Sequence, residues 1–235
     1  MNFFDKCDDT RAQNGIGSQL NIWDETLQKY VLFIPLETVP SVVGSTNTSE
    51  VDLLTSASIT KIEGKSTVDD KDVTFLWHRD NLRRLRQYAG KQCKFLVSYP
   101  DYTGWTFEGK IIYKPDDGTS DKLTGTFTII ANKVGEREIE DVRPMMAKTC
   151  FITSTIPFEL VLGASKTQTI NLSATSSSAT FTAESSAEGI NASITGSQLT
   201  ITGGASASYG IVTIKSSASG MASWETTIAV EVVAE

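Results

Sequence analysis

Hydrophobic and polar residues alternate with a period of two along most of this chain. The clearest case is WTFEGKIIYK, where Trp105, Phe107, Ile111 and Tyr113 interleave with Thr106, Glu108, Lys110 and Lys114, the pattern of a half-buried strand. Pro115-Asp-Asp-Gly118 supplies turn chemistry. KLTGTFTIIANK then repeats the alternation, with Leu123, Phe127 and Ile129 against Thr124, Thr126 and Thr128, so the two predict a long antiparallel hairpin. Earlier strands are predicted at 18–23, 29–34, 58–63, 72–77 and 94–99. Such a set predicts a β-sandwich or partly closed barrel, not an α/β enzyme scaffold.

Only DNLRRLRQYAGKQ (80–92) breaks to a helical period. At about 100° per residue, Leu82, Leu85, Tyr88 and Ala89 share one face, with Arg83, Arg84 and Gln87 opposite and Arg86 flanking. Asp80 or Asn81 is the expected cap, and Gly90 the left-handed stop. The arginine face reads either as solvated or as a contact for an acidic partner surface, such as the 136–141 run of another subunit. DNA contact is the least supported reading, because no wider basic field surrounds the helix.

Two segments interrupt the strands. PLETVPSVVGSTNTSEVD (35–52) and VGEREIEDVRPMMAK (134–148) are long and irregular. They read either as surface loops or as pieces that become ordered against something else.

From about residue 153 the spacing tightens. IPFELVL, TQTINLS, ATFTA, INASI, QLTIT, YGIVTIK and WETTIAVEVV are seven short strands separated by Gly, Ser and Asn turns, the signature of an immunoglobulin-like sandwich. Composition changes at the same place. Residues 1–150 carry 19 basic and 22 acidic side chains, whereas 151–235 carry 2 and 6 amid runs of Ser, Thr and Ala. The expected division is therefore 1–150 and 153–235.

The whole chain of 235 residues has a formal charge of −7, the wrong sign for gripping a polyanion. MNFFDKCDDTRAQNG carries acids where a signal peptide needs basic and then apolar residues, so the chain is expected to stay in the cytosol that makes it. No apolar run is long enough to cross a membrane. Cys7, Cys93 and Cys150 are odd in number and far apart, which argues against a disulfide framework or a cysteine zinc site. His78 alone cannot build a multi-histidine metal site, and it lacks a recognisable nucleophile for acid–base work. Asp69-Asp70 and Asp116-Asp117 fall in turns, and Gly15-Ile-Gly17 is too short for a phosphate loop. The expectation is no enzyme, no cofactor and no metal.

The order of elements is familiar. NGIGSQLNIWDE, YVLFIPLETVPSV, EVDLLT…ITKIEGKSTVDDKDVTFLW, a short helix, CKFLVSYPD and the WTFEGKI…KLTGTFTIIANKV pair together resemble the major tail tube proteins of long, non-contractile-tailed bacteriophages. The C-terminal LTITGGASASYGIVTIKSSASG is similar to the bacterial immunoglobulin-like domains that some tail proteins carry. The resemblance implies six copies joined edge to edge in a ring, and rings stacked head to tail into a virion tube. Double-stranded DNA would transit the lumen without specific binding. An N-terminal arm (1–14), the 36–52 loop and a C-terminal arm (134–150) would be disordered in the monomer and fold onto neighbours. Glu37, Val39, Val42, Val43, Arg83, Arg84, Glu136, Arg137, Glu138, Glu140 and Asp141 are the expected interface residues. Tail tip, tape measure and terminator proteins are the expected partners. The sandwich would decorate the exterior and make weak contact with host-surface glycans. The alternative reading, from the Ser/Thr-rich sandwich, is a surface adhesin or carbohydrate-binding module.

Overall fold

The computed structural model describes residues 17–36, 39–40, 45–51, 60–67, 70–113 and 124–234, and the backbone alone at 45–51, 60–67 and 133–136. The fold is mainly β, with a single α-helix among the described residues. The chain divides into two compact units. One comprises the described residues to Trp23 together with Leu32–Met146; the other joins Asp24–Val31 to the residues from Ala147 onward.

The alternating segments form six strands of one sheet: β1 (Gln19–Asp24), β2 (Lys29–Leu32), β5 (Lys71–Leu76), β6 (Gln92–Ser98), β7 (Gly104–Tyr113) and β8 (Thr124–Ile139). Their order is β2-β1-β6-β7-β8-β5. Among the described strands β3 (Ser45–Val51) and β4 (Thr60–Thr67) pair with each other alone, as a separate two-stranded sheet.

The six-stranded sheet is curled. The Phe33 N–H donates to Leu20 O of β1 at 3.0 Å, and three residues later Leu36 bridges Phe75 of β5. β5 already uses its other side for β8, so in a flat sheet those positions would lie about six strand spacings, or roughly 29 Å, apart. Three residues reach at most about 11 Å. Only a sheet rolled toward a barrel satisfies both contacts.

Inside the roll lies an aromatic cluster. Phe33, Phe75, Phe95, Phe107 and Phe127 are all fully buried. Phe95 stacks on its cross-strand partner Phe107 with ring centroids 5.2 Å apart. Phe33 meets Phe95 and Phe127 edge-on at 6.4 and 5.9 Å. The roll is plugged by α1 (Arg79–Tyr88), whose Leu85 is buried and whose Tyr88 meets Phe33 edge-on at 5.6 Å.

The helix differs from the wheel in two ways. Ala89 is exposed, while Asn81 is buried and donates from Nδ2 to Leu76 O at 2.9 Å, tying the helix start to the end of β5. The cap is neither Asp80 nor Asn81. It is His78, in extended backbone, whose Nδ1 accepts from the Asp80 N–H at 3.3 Å. Gly90 does take the left-handed conformation, at φ +78°.

The 134–148 segment is not the departing arm that its charge suggested. Residues 134–139 continue β8, where Glu138 pairs with Trp105 and Arg137 with Thr106 beyond a register shift. The chain then folds back on its own unit. Val142 is buried, its N–H donates to Tyr102 O at 2.9 Å, and a 3-10 turn follows at Arg143–Met145. Gly104 makes room for this return: a Cβ there would stand 2.6 Å from Val142 Cγ1 and 2.5 Å from Val97 O. The 36–52 stretch is likewise not wholly irregular, since Leu36 pairs with β5 and 45–51 is strand β3.

The second unit contains all seven short strands. They are β9 (Glu159–Gly163), β10 (Thr167–Asn171), β11 (Thr180–Ser185), β12 (Ile190–Thr195), β13 (Gln198–Gly203), β14 (Ser208–Ser217) and β15 (Trp224–Val233). Sheets β10-β13-β12 and β11-β14-β15-β9 enclose one core of Leu162, Leu172, Ile190, Leu199, Ile201, Val212, Ile214, Ile228, Val230 and Val232. β9 runs parallel to β15, every other pairing being antiparallel, which gives an immunoglobulin-like sandwich. The β12–β13 hairpin closes in two residues, with Gly196 at φ +62° first, the glycine-first turn that matches strand twist. This unit starts earlier than composition suggested. Thr149 bridges Ala222, and the Cys150 N–H donates to Ala222 O at 2.9 Å.

Candidate assembly surface

The residues that the sequence nominates for an interface fall in separate places. Glu37, Val42 and Val43 lie outside the described residues, as does the 1–14 arm. Val39 is half-buried beside buried Pro40. Arg83 is exposed and Arg84 half-buried on α1, and Arg79, Arg83 and Arg86 form one stripe at i, i+4 and i+7. Arg137 and Glu138 are exposed on the far end of β8; Glu136 is described by its backbone only, and Glu140 is exposed in the following bend.

Asp141 has an intramolecular role. Both its oxygens accept from Arg143, at 2.9 Å from Nε and 2.8 Å from Nη2, and Oδ1 also accepts from the Arg143 backbone N–H at 3.0 Å. These bonds hold its carboxyl below the usual range. The Arg143 guanidinium lies 4.8 Å from the Tyr102 ring centroid. Asp141 is thus a local brace, and it drops out as a counter-charge for a neighbour's arginines.

Sequence reasoning missed a second surface, on the outward face of the four-stranded sheet. Tyr209, Glu231 and Val161 stand in one cross-strand row, with Ile211, Ala229 and Glu159 in the next. Tyr209 is 74% exposed and Val161 56%, with Phe158 (59%) and Val233 (40%) nearby. The signal was present: in YGIVTIK and WETTIAVEVV apolar residues occupy both parities, so one set has to face outward.

The Tyr209 hydroxyl donates to Glu231 Oε1 at 2.9 Å. That bond, followed by the negative charge of Glu231, raises the Tyr209 phenol above its ordinary range. The neutral phenol is the bonded form, so the interaction is complete below the ordinary tyrosine range and is lost as pH rises through the raised value. Replacing Glu231 by Gln is expected to bring that titration down toward an unperturbed tyrosine, as read by phenolate absorbance or NMR. An unchanged curve would show that the bond does not persist in solution.

Among the described residues no three His, Cys, Asp or Glu side chains gather as a metal site. No helix there is long and apolar enough to cross a membrane. The chain matches no protein-family model and no curated protein at a significant level.

Proposed function

We propose that this chain is a self-assembling structural subunit, the building block of a stacked-ring tube of the long non-contractile phage tail type. In this reading six copies make a ring, and rings stack into a conduit for double-stranded DNA in the virion. The observation that carries it is the β3–β4 hairpin, which is hydrogen-bonded to no other described strand. A lone two-stranded sheet is marginal in water, and its unpaired edges are templates for a neighbouring chain. Closing a ring or stacking a filament satisfies such edges. The overall charge of −7 suits a bore that lets DNA slide instead of holding it.

The purified chain is expected to form hollow tubes or ring-shaped assemblies in negative-stain electron microscopy at high concentration or with a tail-tip nucleator. A strictly monomeric particle under both conditions would sink this reading.

A further inference from the structure

Two oppositely charged surfaces on the described residues have no role in either core. One is the α1 stripe, where Arg83 and Arg86 are exposed. The other is the outward face of the sandwich around Tyr209, Glu231, Val161 and Glu159. On that face Glu225 already pairs with Lys215 at 3.7 Å, and Lys166 bounds the patch at Gly163. Glu159 and Glu231 have no ion pair among the described residues.

This patch suits a guanidinium. Arginine binds carboxylates in a planar fork and stacks on aromatic faces, and Tyr209 offers an exposed ring held by its bond to Glu231. Val161 gives apolar surface for the aliphatic stem of an arginine. Glu159 and Glu231 sit diagonally on adjacent strands, about 8 Å apart from strand and residue spacings. Two arginines three positions apart on a helix, with Cβ atoms about 5–6 Å apart, can reach both.

We propose that the Arg83–Arg86 stripe of one copy docks on the Tyr209–Glu231–Glu159 face of a second copy. The contact joins unlike surfaces, so it builds a closed ring or an open stack instead of a two-fold dimer. It rests on the self-assembly proposed above and names what the arginines meet: the neighbour's sandwich, not the 136–141 run, whose Asp141 is held by Arg143.

The test uses the full chain with Cys7→Ser and Cys93→Ser, keeping buried Cys150. Arg86→Cys and Glu231→Cys proteins are purified separately, mixed, and treated with a short bis-maleimide, because long native side chains set the backbones too far apart for a direct disulfide. The mixture is expected to give linked dimer several-fold above either protein alone. It should also exceed Arg86→Cys mixed with Thr200→Cys, on the opposite sheet, and fall several-fold when Glu159→Arg is added. Tubes that form normally but show no excess in the mixture would overturn the docking and leave the tube reading intact. Linked dimer without any tubes would support the docking and sink the tube reading. Linkage confined to single chains of the Arg86→Cys, Glu231→Cys double variant would also overturn it.

Discussion

Replacing Phe33 by alanine is expected to destabilise the rolled sheet by about 3–5 kcal/mol, the usual penalty for truncating a fully buried aromatic. Phe33 is 0% exposed and touches Tyr88 of α1, Phe95 of β6 and Phe127 of β8. Those partners come from three elements that cannot collapse together into the vacancy without breaking sheet registry. The residue also sits where the chain crosses from β1 toward β5. A domain is stable by only about 5–15 kcal/mol, so the loss is a large share of the total. The urea midpoint of this unit should fall by roughly 1–5 M, given slopes of about 1–3 kcal/mol per molar. Trp77, whose ring stacks on Phe75 at 6.2 Å, and Trp105 report on this unit. Leu76→Ala, at a 48% exposed position of β5 in the same unit, is the control and should shift stability within about 0.5 kcal/mol. If Phe33→Ala unfolds at the same midpoint as the parent, the aromatic cluster is not the core of the sheet.

Periodicity read the strands whose apolar residues alternate and missed those whose sequence lacks that alternation. Val73 and Phe75 of β5 and Phe127 and Ile129 of β8 are buried, and their alternation was plain. β3 reads STNTSEV and has one apolar residue, so its backbone pairing left no hydrophobic trace. The distal half of β8 was hidden in the same way by Glu136, Arg137 and Glu138, and by the register shift that interrupts the ladder. Charge then suggested an arm, although Val142 anchors the return. His78 escaped as a cap because a ring nitrogen is doing what a short hydroxyl or carboxylate ordinarily does. In β1, Asn21 is buried, donating from Nδ2 to Ser98 Oγ at 3.0 Å and Leu96 O at 3.3 Å. Alternation would have put such a residue in solvent. The acidic Tyr209 face depended on setting β9 beside the distant β15 and on the β14–β15 register, information that cross-strand register holds and local pattern does not.

Replacing residues 41–70 by a short Gly-Ser linker is expected to leave a folded monomer that does not form the proposed tubes. The deletion removes β3 and β4, which pair with each other and with none of the six sheet strands. It spares the Leu36–Phe75 bridge. Pro40 and Lys71 each lie four residues from that bridge, within reach of a flexible linker. The aromatic core lies entirely outside the excised segment. Near-UV circular dichroism and the urea midpoint of the first unit should therefore stay close to the parent. The hairpin's open edges are the backbone groups that a neighbour is proposed to take up, so their removal should abolish assembly in negative stain at concentrations where the parent is expected to polymerise. Tubes forming as readily as before would take the hairpin out of the interface and shift the burden of assembly to the arginine stripe and the sandwich. A variant that loses its near-UV signal would show instead that the hairpin is part of the folding core, a role that its separate pairing argues against.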